Sequence, residues 1–131
     1  MMNLVRIDKN QKPNRVQKAR ITFGANGTIT LNAATFELMG IVAGDCVSFA
    51  NDKDSPDDWY MYKDHVNGTY IKSGYKVGNR PYGKIFCRRL AREIRGDYQD
   101  NSLSCRVVST DHDGIYSIIT AAKNAIKTVN D

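Results

Sequence analysis

The chain has 131 residues, 41% of them hydrophobic, and a formal net charge of +5, which suits one domain built around its own core. No apolar run approaches the ~20 residues that a membrane-spanning helix requires. No apolar segment follows Met1-Met2, so the start of the chain also differs from a secretory signal. These features argue against a membrane protein, and we expect cytoplasmic localisation.

Positive charge is concentrated at the start of the chain. Residues 1–20 carry six Lys or Arg side chains against Asp8 as the single carboxylate, and they include Pro13 and few apolar residues. Segments of this composition bury too little apolar surface to fold alone. Residues 1–18 are therefore predicted to form a basic flexible arm, followed by one α+β domain over residues 19–131.

Two short strands and a tight turn are predicted at the start of this domain. Apolar and polar residues alternate in 20–23 and again in 28–31, which is the period of a half-buried strand. Asn26-Gly27 lies between them, and this dipeptide favours the positive φ angles of a hairpin turn. The two strands are expected to pair as an antiparallel hairpin.

A short helix and a third strand are predicted next. Asn32 can accept a hydrogen bond from a free helix N–H group, residues 33–39 favour helix, and Gly40 suits the left-handed conformation that ends one. Residues 46–49 then have the composition of a strand. Between residues 19 and 63 the predicted order is strand, turn, strand, helix and hairpin.

This order resembles the AbrB/SpoVT family of swapped-hairpin transcription factors. The chain departs from the family pattern at Asn32, where the family usually has Pro, and at Thr28, where it often has Arg or Lys. The resemblance implies that two chains interleave their hairpins into one small barrel and contact DNA through basic residues on one face. The matching letters are Gly27-Thr28-Ile29-Thr30-Leu31-Asn32, Leu38-Met39-Gly40-Ile41 and Gly44-Asp45-Cys46-Val47.

Aromatic and basic residues are interleaved between residues 59 and 84. Aromatic faces stack on unpaired bases while lysines follow the phosphates in proteins that bind single strands. Several glycines interrupt the run, so residues 69–77 are predicted to form a twisted, mobile hairpin or arm. Trp59 and Tyr62 are assigned to the core, and the predicted stacking residues are Tyr70, Tyr75 and Tyr82.

A second helix is predicted over residues 88–95. Phe86, Leu90 and Ile94 recur at intervals of four residues and are expected to face the core together. Arginines cover the rest of the helix surface, and guanidinium groups grip phosphate oxygens in pairs. The helix is therefore predicted to present Arg88, Arg89, Arg92 and Arg95 to a phosphate backbone.

The second half of the chain has features of a repeat of the first. A shift of 56 residues aligns Gly27 with Gly83 and Gly40 with Gly96. An internal duplication, with halves at 19–64 and 83–120, would supply within one chain what a swapped dimer builds from two. The predicted elements of the second half are strands at 84–87, 103–108 and 115–119 and the helix at 88–95, before a terminal helix at 121–128.

The chain lacks the residue patterns of common enzymes and cofactor sites. It has no G-x-S-x-G, no H-E-x-x-H and no Walker-type glycine-rich loop. Cys46, Cys87 and Cys105 form no CxxC pair and are expected to be structural thiols in a reducing compartment. The aspartates of 52–58 lack the pattern of a calcium-binding loop, although a nuclease could use them with magnesium. We expect a protein that is not an enzyme and needs no cofactor or metal.

We predict an α+β fold of mainly antiparallel hairpins or a barrel, and a function in nucleic-acid binding. Nine basic residues against two acidic ones in 63–95 form a second positive segment, which attracts polyanions. DNA is favoured over RNA, with the protein acting as a regulator of transcription and a homodimer or higher homo-oligomer. Two alternatives stay open: a single-strand binder resembling the Whirly type, and a phage structural or assembly protein. The predicted nucleic-acid-binding residues are Lys18, Arg20, Lys72, Tyr75, Lys76, Arg80, Tyr82, Lys84, Arg88, Arg89, Arg92 and Arg95.

Overall fold

The computed structural model describes residues 18–74 and 81–120. The predicted arm, apart from Lys18, and the predicted helix at 121–128 lie outside the described residues. The prediction of a β-rich α+β fold with short helices is confirmed. The elements in chain order are β1 (Arg20–Gly24), β2 (Thr28–Leu31), α1 (Ala33–Met39), β3 (Cys46–Asn51), β4 (Trp59–Lys63), β5 (Thr69–Tyr70), β6 (Lys72–Ser73), β7 (Gly83–Phe86), α2 (Arg88–Arg95), β8 (Ser102–Ser109) and β9 (Ile115–Ile119).

The first hairpin and its helix form as the sequence predicts. Gly27 takes a φ of +94° in the turn between β1 and β2, which pair antiparallel. The Asn32 side-chain oxygen accepts a hydrogen bond from the backbone N–H of Thr35 at 3.0 Å and so caps α1. Gly40 ends the helix with a φ of +65°. Local signals in the sequence therefore determine this part of the fold.

The strands form one antiparallel sheet that is nearly closed into a barrel. Its order is β5-β3-β4-β9-β8-β1-β2-β7-β6, so β5 and β6 form the two edges of the sheet. Ile71 alone separates these two strands in the chain, and its N–H donates to the carbonyl of Asp45 at 2.9 Å. Residues 69–73 thus join the two ends of the sheet and belong to it, whereas the sequence predicts an arm there. Residues 75–77 of that predicted arm lie outside the described residues.

The core fills the interior of this sheet and is completed by the two helices. Alternate residues of the strands, such as Ile21, Ile29 and Leu103, are fully buried. Since β2 and β7 run antiparallel, and α1 follows β2 while α2 follows β7, the helices begin at opposite ends of these strands. Both helices contribute buried apolar side chains, which are Ala33, Ala34, Phe36 and Met39 from α1 and Ala91 and Ile94 from α2.

One expected core residue lies on the surface instead. Phe86 is 63% exposed, whereas Ile94 is buried and Leu90 is partly buried. The prediction that all three share a buried helical face is wrong at Phe86, because the helix begins only at Arg88. Phe86 ends strand β7, whose inward positions are Gly83 and Ile85, so its side chain points outward.

Asp64 organises the turn that follows β4. Its carboxylate accepts hydrogen bonds from the backbone N–H of Asn67 at 2.9 Å, the hydroxyl of Ser48 at 2.9 Å and the backbone N–H of Val66 at 3.1 Å. These bonds favour the ionised form and lower the pKa of Asp64 below its ordinary value of 3.8. The carboxylate therefore acts here as a structural acceptor.

No helix in the described ranges 18–74 and 81–120 has the length and apolar character needed to cross a membrane.

The expected structural thiols lie in or beside strands: Cys46 in β3, Cys105 in β8 and Cys87 between β7 and α2. Cys105 is buried in the core, as expected of a small apolar side chain.

Candidate nucleic-acid interface

Four cationic side chains share the outer surface of five neighbouring strands, β8, β1, β2, β7 and β6. Arg20 lies opposite Arg106 in the pairing of β1 with β8, and Lys72 lies opposite Lys84 in the pairing of β6 with β7. The neighbouring alternate positions are buried, so these side chains point away from the core. We call this outer surface, with its four cations, the basic face.

The basic face carries no compensating negative charge. None of its five strands contains Asp or Glu. The ion pairs among the described residues join Lys63 to Asp45 and Arg89 to Glu93, and neither includes a cation of the basic face. Like charges placed directly opposite each other destabilise a sheet. The two cation pairs therefore lower stability slightly, and an anionic ligand would relieve their repulsion.

A row of hydroxyl groups crosses the basic face. Lys84 is paired with Thr30, Thr30 with Thr22, and Thr22 with Ser104 along successive strands. These hydroxyl side chains are half-buried and lie on the outer side of the sheet. Hydroxyl groups are common hydrogen-bond donors to phosphate oxygens in DNA complexes. The surface therefore combines point charges with neutral donors.

A cleft of about 400 Å³ borders one end of this surface. It is formed between the β1–β2 turn and α2, and no carboxylate lines it. Arg88 and Arg92 are one helical turn apart on α2 and both line the cleft. The remaining lining residues are Ala25, Asn26, Arg95, Gly96 and Tyr98.

The arginines of α2 differ in what they contact. Arg89 lies at 3.5 Å from Glu93 one turn further along, so its charge is partly neutralised. Arg88 and Arg92 form no ion pair with any described residue, and the Arg88 guanidinium lies 5.8 Å from the centre of the Phe86 ring. Arg88 therefore connects the cleft with the outer side of β7.

Arg95 is a structural residue, which corrects the prediction that it faces a phosphate backbone. Its side chain is only 8% exposed. The guanidinium donates hydrogen bonds to the backbone carbonyls of Phe23 at 3.0 Å and Tyr98 at 3.3 Å, and also to that of Asp100. Its donors are thus used to tie α2 to β1 and to the loop before β8.

Tyr98 lines the cleft beside this arginine. Its ring centre lies 5.7 Å from the Arg95 guanidinium, and its hydroxyl donates to the carboxylate of Asp100 at 3.1 Å. This hydrogen bond, together with desolvation, raises the pKa of Tyr98 above its ordinary value. The Tyr98 hydroxyl is therefore neutral at physiological pH.

The remaining predicted site residues are distributed over the molecule. Lys18 is exposed just before β1, where its carbonyl accepts from the Asn32 side chain at 2.9 Å. Tyr82 is half-buried, and the Lys84 ammonium lies 5.7 Å from the centre of its ring. Three predicted site residues lie outside the described residues: Tyr75, Lys76 and Arg80. Of these, Tyr75 is also a predicted stacking residue.

Two residues of this surface are absent from the sequence-based prediction. Arg106 lies in a segment with net negative charge, but its place between the apolar residues Cys105 and Val107 marks it as outward-facing in a strand. Phe86 has no comparable signal, because its outward direction depends on where β7 ends. The structure thus adds Arg106 and Phe86 to a surface whose other cations, Arg20, Lys72 and Lys84, belong to the sequence-based prediction.

Compared with protein-family models, curated proteins and solved structures, the chain shows no match. Within residues 18–74 and 81–120, no group of three or more His, Cys, Asp or Glu side chains is arranged to hold a metal ion. The charge and shape of the surface itself are therefore what indicate its function.

Proposed function

We propose that this protein binds nucleic acid, with DNA as the favoured ligand, through the basic face and the adjoining arginine cleft, and that it does so without catalysis as a regulator of transcription. The observation that supports this most is the basic face: Arg20, Lys72, Lys84 and Arg106 on neighbouring strands without a carboxylate among them. Cations grouped in this way attract phosphates and release counterions when they bind.

The arginine cleft supports the same proposal. Arg88 and Arg92 have no carboxylate partner among the described residues, and the guanidinium fork matches two phosphate oxygens at once. An amphipathic helix whose arginines only maintain solubility would pair them with acids along the helix, as Arg89 does with Glu93. Arg89 therefore serves as an internal control for Arg88 and Arg92 on the same helix.

A variant with Arg88→Ala and Arg92→Ala should bind DNA more weakly, whereas Arg89→Ala should change binding little. Log affinity falls with log salt, and each lost phosphate contact makes this negative slope shallower by about 0.9 for duplex and about 0.7 for single strands. Exposed substitutions of this kind change stability little, so thermal melting should be similar for all variants. If Arg89→Ala weakens binding as much as the double variant does, the cleft has no special role.

We also propose that the fold is an internally duplicated relative of the swapped-hairpin domains, in which the second half takes the place of a partner chain. In support, β2, α1, β3 and β4 are followed by β7, α2, β8 and β9 in the same order. Ile29 lies directly opposite Ile85, its equivalent 56 residues later, as a local two-fold axis between two halves requires. Both helices end at equivalent glycines, Gly40 and Gly96.

In this arrangement the chain does not need a second copy to complete its core, so core burial is no longer a reason to expect a homodimer. A swapped hairpin buries its core by pairing with a second copy, whereas residues 69–73 of this chain join the two ends of its own sheet. Homodimer formation stays a prediction, and sedimentation at low micromolar protein tests it. A monomer that binds DNA would support replacement of the partner by the second half, and a dimer would favour the swapped arrangement.

A further inference from the structure

Aromatic residues lie near both members of the lysine pair of the basic face. Lys84 and Phe86 occupy alternate positions along β7, and Tyr82 lies just before the strand, two residues from Lys84. The exposure of Phe86 and the contact between Lys84 and Tyr82 place all three on the outer side. On the neighbouring segment, Tyr70 is 57% exposed and lies two residues before Lys72. Each lysine therefore has an aromatic residue two positions away in the chain.

The strand register fixes the positions of these rings. Continuing the Lys72–Lys84 pairing by two residues places Gly74 opposite Tyr82, and the Gly74 N–H donates to the Tyr82 carbonyl at 2.9 Å. A Cβ atom at Gly74 would overlap the Tyr82 ring, so the glycine leaves room for the ring above it. In the other direction, Phe86 follows Lys84 by two residues and is exposed on the outer side of β7. Aromatic rings thus lie on both sides of the lysine pair.

Phe86 is the most informative of these rings. A single exposed apolar residue is common on protein surfaces. Phe86, however, lies within a basic surface, with the Arg88 guanidinium 5.8 Å from its ring centre and Lys84 two residues away. Neither cation forms an ion pair with another described residue. An exposed aromatic face beside two such cations matches one nucleotide, because the base can stack on the ring while its phosphate meets the cations.

The spacing of the rings favours unpaired bases. Tyr82 and Phe86 are four residues apart in extended chain, which is about 13 Å at ~3.3 Å per residue. Bases within a duplex strand are ~3.4 Å apart and stack on each other, so their faces are not free to reach side chains. Rings on a sheet surface contact bases only when those bases are unstacked, as in single strands.

We propose that single-stranded nucleic acid lies along the outer side of β7, with bases stacked on Phe86 and Tyr82 and phosphates held by Lys72, Lys84 and Arg88. This inference rests on the proposed nucleic-acid-binding function and specifies the form of the ligand. It assigns a ligand-binding role to Phe86, which the sequence pattern places in the core.

The test compares the affinities of the whole protein for labelled oligothymidine, for a mixed-sequence single strand and for the duplex of that sequence at one low salt concentration. Phe86→Ala should lower single-strand affinity about 5- to 140-fold, which is the range for losing one stacked base. Phe86→Trp keeps an aromatic face and should retain the affinity. Val66→Ala removes another exposed apolar side chain, which lies between β4 and β5 and outside the five strands of the basic face, and serves as the control.

The proposal predicts that the wild-type protein binds single strands more tightly than the duplex and that only Phe86→Ala loses this preference. If Phe86→Ala binds single strands as tightly as wild type while Lys72→Gln with Lys84→Gln binds weakly, stacking is overturned and the proposed function stands. Tighter binding of the duplex by the wild type also overturns it. Absence of binding to all three oligonucleotides overturns both this inference and the proposed function.

Discussion

Arg95 provides the sharpest test of how α2 is built, because it distinguishes a structural arginine from ligand-binding ones on the same helix. Arg95→Ala removes the hydrogen bonds to the backbone carbonyls of Phe23, Tyr98 and Asp100. The first of these bonds is buried, and a lost hydrogen bond to a charged group costs about 1.5–3 kcal/mol in this setting. The other two are only partly buried, so we expect the free energy of unfolding to fall by about 3 kcal/mol in total.

Thermal melting followed by circular dichroism measures this effect. For a chain of this length each 1 kcal/mol corresponds to about 3–6 °C in Tm, so Arg95→Ala should melt about 10–20 °C below wild type. Arg92→Ala, three residues earlier on the same helix and exposed, should stay within about 0.5 kcal/mol of wild type. Arg95→Lys should be destabilised too, because one ammonium group cannot reach all three carbonyls. Equal melting temperatures for Arg95→Ala and Arg92→Ala would refute this assignment.

Three further predictions concern the fold. Gly83→Ala should lower the free energy of unfolding by about 1–3 kcal/mol in urea, because the new methyl group would overlap Ile71 and Phe36; unchanged stability would contradict this packing. Asn32→Ala should cost about 1–2 kcal/mol in the same assay, since its side-chain oxygen caps α1, and a neutral result would mean that water replaces the cap. Asp64 has a lowered pKa, so its hydrogen bonds stabilise the fold at neutral pH. This contribution decreases as the pH falls below about 4, the pKa of an unperturbed Asp, and is lost below the lowered pKa of the folded state. The difference in Tm between wild type and Asp64→Asn should therefore shrink on acidification, and a constant difference would contradict the assignment.

The sequence predicts the local elements well, because their signals lie within a few residues of each other. Asn26-Gly27 favours the turn that the structure contains, and Asn32 and Gly40 mark the two ends of α1. The helix at 88–95 and the strand at 115–119 also match their predicted bounds. For these elements propensity, capping and hydrophobic pattern all favour the same structure.

The remaining features depend on contacts between distant parts of the chain. Residues 69–73 close the sheet only because Asp45 and β7 lie on either side of them, whereas the glycines that flank them in the sequence, Gly68 and Gly74, suggest an arm. Arginine is a residue type that usually lies on the surface, but the Arg95 side chain is held by backbone carbonyls of β1 and of the loop before β8. Phe86 fits a helical periodicity until the start of α2 is known. The sequence therefore predicts the positive charge of the candidate site, but not which side chains are exposed there or how they are arranged.

The measurement that tests the proposed function most directly is the salt dependence of DNA binding by the basic face. Fluorescence anisotropy of a labelled oligonucleotide would be titrated at several salt concentrations with wild type and with Lys72→Gln, Lys84→Gln. We expect log affinity to fall linearly with log salt in the wild type, and the double variant to have a slope shallower by about 1.4–1.8, from 0.7–0.9 per lost phosphate contact. Lys63→Gln, which removes a lysine paired with Asp45, should leave the slope unchanged. A wild-type protein that does not bind at low salt, or a double variant with the wild-type slope, would contradict the proposal that this surface binds nucleic acid.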